Sequence, residues 1–141
     1  MIPLVVALLT AVVPQPTVAV LAEPARYVPG ERFTFTATVA NPGPGPLGAA
    51  EIKLAWPPAF RPLTWTCRAS GGAVCPATKG RGAMHVVTDL PGGGTLTYTL
   101  TCTMPERTSG TYAAVISVAA PGSRCSPEDP CEATMAAGPA T

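Results

Sequence analysis

Charged side chains are scarce in this sequence. Nine Lys and Arg stand against eight Asp and Glu, together 12% of the 141 residues, and histidine occurs once. A near-zero net charge excludes a basic footprint for nucleic acid. One histidine and few carboxylates leave little for acid–base catalysis. Cys-x-x-Cys and clustered histidines are missing, so the spacing of a zinc or thiol-redox site is not met. A phosphate-binding loop and a nucleophile elbow are missing too. No apolar run reaches the roughly 20 residues that span a bilayer. Outside the N-terminal apolar run nothing reads as a helix. No cofactor and no metal are therefore expected.

What the chain has in quantity is Gly, Pro, Thr and aliphatics, with 14 glycines and 18 prolines. These residues punctuate regular alternating runs, which points to turns rather than disorder. Residues 27–46, YVPGERFTFTATVANPGPGP, show the unit. Pro29-Gly30 turns; Phe33, Phe35, Ala37 and Val39 alternate with Thr34, Thr36, Thr38 and Ala40; three prolines then stop the strand. The unit recurs. Residues 17–22 form a short strand with proline on both flanks, suited to an edge. In residues 50–56, Ile52, Leu54 and Trp56 face inward. Leu63, Trp65 and Cys67 share one face of the next strand. Residues 79–82 read as a polar turn. Residues 84–90, 95–104 and 111–120 alternate in the same way, and a short strand over 132–137 follows a loop with Cys125 and Cys131. Regular short strands between Gly/Pro turns mean an all-β sandwich of a size that fits one domain.

Residues 4–13, LVVALLTAVV, are uncharged and have the length of a signal h-region. Residues 1–15 are expected to be a signal peptide or apolar leader, with the domain over 16–141 and a mature start near Gln15. If the run is retained instead, it needs cover, which strand addition to a neighbouring subunit would supply in a fibre.

The run 27–46, the segment LTWTCRASGGAVCPA, the pair DLPGGGTLTYTLT and the later SPEDPCEAT, in this order, closely resemble a DUF11-type repeat. That family comprises immunoglobulin-like β-sandwich modules of bacterial and archaeal secreted and surface proteins, and the similarity covers roughly residues 17–137. The resemblance implies an immunoglobulin-like antiparallel β-sandwich of about seven to eight strands, no shared catalytic residues, and a secreted or envelope location. In the family pattern a pair such as Cys67 and Cys75 brackets a turn, whereas Cys125 and Cys131 look like a local addition.

Cys67 with Cys75, and Cys125 with Cys131, are close enough in sequence to close small loops, worth roughly 2–3 kcal/mol each on the chain-entropy model. The alternative use is a metal or redox site. Cys102 lies on the inward face of its strand and reads as a buried, inert thiol rather than a nucleophile. His85 sits on a polar face in phase with Asp89, and a triad with Ser70 or Ser109 has no supporting signature. Glu128, Asp129 and Glu132 offer oxygen ligands near a cysteine-closed loop, yet fall short of an EF-hand pattern. Trp56 and Trp65 could stack on sugars, but both occupy the apolar phase, so core packing is expected of them. The function expected is a non-catalytic exported module for surface structure, assembly or adhesion. The alternatives are a carbohydrate- or ligand-binding module and a strand-exchanging fibre subunit. Expected partners are other surface or envelope proteins and further copies of the chain; nucleic acid and a membrane span in the mature chain are not expected.

Overall fold

Period-two alternation sorts the side chains into a buried and an exposed set. In β3 (Arg32–Ala40), Phe33, Phe35, Ala37 and Val39 are buried, while Thr34 is exposed and Thr36 and Thr38 are half-buried. β8 (Thr95–Thr103) repeats the pattern, with Leu96, Tyr98, Leu100 and Cys102 inside and five threonines outside. A strand with one apolar face must cover it, and here two sheets cover each other.

A computed structural model describes residues 13–140. Most of the expected leader, residues 1–12, lies outside the described residues. Besides β3 and β8, the strands are β1 (Thr17–Leu21), β2 (Arg26–Tyr27), β4 (Leu47–Ala55), β5 (Leu63–Ser70), β6 (Lys79–Arg81), β7 (Met84–Leu90), β9 (Tyr112–Ala119) and β10 (Cys131–Pro139). One sheet runs β1-β3-β8-β5-β6 and the other β2-β10-β9-β4-β7. All neighbours pair antiparallel except β2 with β10. The expected β-sandwich is present, and β1 takes its edge position. No helix among the described residues is long and apolar enough to cross a membrane.

Among the described residues ten strands replace the expected seven or eight, because two short ones lack any apolar alternation. β2 is two residues long, and β6 is the Lys79–Arg81 segment expected to be a turn. β6 is held by pairing with β5, Thr64 opposite Arg81 and Thr66 opposite Lys79. β4 also begins earlier than expected, at Leu47. Its pairing with β7 shifts between Leu47 and Ala50, where Ala49 adopts φ of 50°. The Asp89 carboxylate accepts the Ala49 N–H at 2.9 Å and secures this bulge.

The core divides into two aromatic groups. Tyr27, Phe33, Phe35, Phe60 and Tyr112 form a chain of ring contacts. Trp65 meets Tyr98 edge-on at 5.6 Å, and both are buried, as their strand phases require. Gly80 of β6 lies over the Trp65 indole so closely that a Cβ there would stand 2.2 Å from the ring.

Candidate functional site

Loops from one end of the sandwich carry most of the chemistry that the sequence singles out. The strand directions bring together residues 13–16, 41–46, 70–78, 91–94 and 120–130. Four of these segments contain no charged residue at all: 13–16, 41–46, 70–78 and 91–94.

Asn41 ties two of them. It is fully buried, and its Nδ2 donates to the carbonyls of Gly45 and Leu90 at 2.9 and 3.0 Å. Its Oδ1 accepts the Gly43 N–H at 3.1 Å, and its backbone exchanges hydrogen bonds with Gly93 and Gly94. Every polar atom of a buried amide is thereby satisfied. Gly92 passes so near the Pro44 carbonyl that a Cβ there would stand 2.5 Å away.

The cysteines bracket two further loops. Cys67 and Cys75 lie at disulfide distance eight residues apart, and Cys125 and Cys131 do so six residues apart. Inside the second loop, Ser126 accepts the Asp129 N–H at its hydroxyl and at its carbonyl. Ser123, just before it, is buried; its hydroxyl donates to the Ala120 carbonyl and accepts the Cys125 N–H. The segment preceding β1 docks on this loop. The Arg124 N–H donates to the Pro14 carbonyl at 2.8 Å, and the Cys125 sulfur lies 3.4 Å from the Pro16 carbonyl.

The remaining candidates scatter. Cys102 is a free, buried thiol 4.0 Å from the Met104 sulfur, and burial pushes its pKa up to about 11. His85 is exposed on the same face of β7 as Asp89, as its phase requires, and meets Glu51 across the β4–β7 pair at 3.2 Å. Glu51 also accepts from Lys53 at 2.7 Å. That hydrogen bond, aided by the charges of Lys53 and His85, holds the Glu51 carboxyl below its usual range. Among the described residues no three His, Cys, Asp or Glu side chains gather to hold a metal, so Glu128, Asp129 and Glu132 do not converge. Trp65 is buried, whereas Trp56 is only half-buried. Trp56, one residue beyond the end of β4 at Ala55, packs against the core without being enclosed by it. Sequence reasoning missed Asn41 altogether; an Asn before Pro-Gly signals a turn, and nothing local reveals its contact with Leu90.

No family model matches this chain, and no curated protein matches it in sequence. Solved structures do match in shape. The CARDB domain of the PF1109 protein from Pyrococcus furiosus, solved in complex with di-metal ions, aligns over 94% of this chain and 93% of that one at 13% identity, TM-score 0.56. AvmM, which catalyses macrocyclization in alchivemycin A biosynthesis, aligns over 89% and 90% at 12% identity, TM-score 0.51. The bacterial hydrophobin BslA aligns over 92% and 98% at 15% identity, TM-score 0.50. Identities this low carry architecture and not activity. The chain has the fold of an immunoglobulin-like β-sandwich.

Proposed function

We propose that this chain is an exported, non-catalytic immunoglobulin-like module of the DUF11 type that serves in cell-surface structure, assembly or adhesion. The carrying observation is that four of its five cysteines stand in two local pairs at disulfide distance, each closing a loop on a small sandwich. Such bonds persist in oxidising surroundings and are rare in a reducing cytosol. The domain then comprises residues 16–141 behind a leader of residues 1–15, and its partners are other surface or envelope proteins or further copies of itself.

Three further observations support a non-catalytic role. The single histidine is engaged by Glu51 rather than by a nucleophile. The thiol that escapes pairing is buried and held protonated by its surroundings. The di-metal ions belong to the CARDB structure, and the acidic groups described here do not converge on a comparable site.

Cell fractionation with N-terminal sequencing tests the proposal. The expected result is recovery from the medium or envelope, with a terminus near Gln15. Recovery from the cytosol with all cysteines reduced would overturn it. Recovery from large surface assemblies with residues 1–12 still attached would favour the fibre alternative.

A further inference from the structure

The acidic side chains carried by strands all lie on one of the two sheets. The five strands β1, β3, β5, β6 and β8 contain no Asp or Glu, whereas their outward positions include Arg32, Arg68, Lys79 and Arg81. The other sheet carries Glu51, Asp89 and Glu132 on β4, β7 and β10, together with Arg26 and Lys53. Among the described residues the ion pairs are those of Glu51 with Lys53 and His85, so the cations of the first sheet are not neutralised by the protein.

Between these cations lies a floor of hydroxyls. Thr64 stands beside Thr101, which stands beside Thr34; Thr66 stands beside Thr99, which stands beside Thr36. Threonine on a solvent face is what β-propensity alone would select, so the floor does not by itself make a site. The relief and the charge add to it. Three hollows adjoin along β5. The first, of about 520 Å³, is lined by the half-buried Trp56 with Arg61, Pro62 and Arg81. It shares Thr64 and Arg81 with the second, of about 530 Å³, whose rim carries Lys79. That hollow shares Thr66 and Thr99 with a third, which ends at Arg68. From Pro62 to Arg68 the trough runs about 20 Å at the rise of an extended strand.

We propose that this trough binds an extended acidic polysaccharide, its anionic groups meeting Arg61, Arg81, Lys79 and Arg68 and its hydroxyls meeting the threonines. Trp56 supplies a partly exposed aromatic ring at one end, suited to the C–H face of a sugar. A neutral polymer leaves the row of cations unused. A nucleic acid finds only this one half-exposed ring, where single-strand binders offer aromatic stacking to successive bases. The proposal deepens the adhesive reading of the module and rests on it only for access to such a polymer.

Affinity electrophoresis of the purified, disulfide-intact protein in gels containing polygalacturonate tests this, with neutral dextran and a single-stranded oligonucleotide as comparisons. Because purified protein is used, a failure here leaves the exported location standing. The expected result is salt-sensitive retardation by polygalacturonate and little by dextran or the oligonucleotide. The exposed double variant Lys79→Glu/Arg81→Glu should lose about tenfold in affinity. The double variant Arg26→Glu/Lys53→Glu, equal in net charge but on the other sheet, should bind as the parent does. Absence of retardation at low salt, equal retardation by dextran, equal or tighter retention by the oligonucleotide, or equal loss in both double variants would overturn the proposal.

Discussion

Tyr98 is fully buried, yet its hydroxyl has no hydrogen-bond partner among the described residues, and the same holds for Nε1 of its neighbour Trp65. A buried polar group without a partner costs about 1–3 kcal/mol. Tyr98→Phe should therefore raise stability, by about 1 kcal/mol in a urea titration; a loss of that size would reveal a partner for the hydroxyl. Burial also pushes the Tyr98 phenol from 10.0 up to about 12, and the Cys102 thiol from 9.0 up to about 11. Both groups are neutral when protonated, so the unfolded chain releases these protons first. Their contribution is intact below about pH 9 and is lost as pH rises, across 9–11 for the thiol and 10–12 for the phenol. Denaturant midpoints taken over this window should fall steadily in the parent and less in Tyr98→Phe. Asn41 is the opposite case, a buried amide with every atom used. Asn41→Ala should cost about 1–3 kcal/mol, since it strands the Leu90 carbonyl; an unchanged denaturation midpoint would show that the loops hold together without it.

At the scale of strands, β5 and β6 test how much an unalternating segment can do. β6 has only the sequence Lys-Gly-Arg, but its glycine gives the Trp65 indole its space. Gly80→Ala should cost about 1–3 kcal/mol through overpacking, and Trp65→Ala about 3–5 kcal/mol through lost burial and a cavity. Similar thermal midpoints for both variants and the parent would contradict that packing. The long strands were legible because alternation is local: Phe33, Trp65, Tyr98 and Leu100 declare their side every second residue. β6 was not legible, because its strand state comes from pairing with Thr64 and Thr66 and from nothing in its own three residues. Trp56, assigned inward by extending the phase of Ile52 and Leu54 past the end of β4, does pack against the core but is only half-buried there. The trough on the first sheet was invisible for a related reason. Its walls come from β5, β6, β8 and the Trp56 turn, which sequence spacing does not bring together.

At the scale of the whole molecule, the two sheets differ in surface chemistry. One carries Glu51, Asp89 and Glu132 with Arg26, Lys53 and His85; the other carries threonine hydroxyls and cations that have no ion-pair partner among the described residues. One end of the sandwich is closed by uncharged Pro/Gly loops, Asn41 and the two cysteine pairs. We propose that both pairs are bonded, and disulfides closing loops of these lengths would stabilise the fold by about 2–3 kcal/mol each in the chain-entropy model. Reduction should thus lower the thermal midpoint, with Cys102 alkylated only after unfolding. The most direct test of an exported module is the redox state of its cysteines in protein taken from its native compartment. Free thiols are trapped by alkylation at the moment of lysis, and the peptides are mapped by mass spectrometry without reduction. The account predicts Cys67 linked to Cys75, Cys125 linked to Cys131, and Cys102 alone as a thiol. Five alkylated cysteines, or a bond involving Cys102, would contradict it.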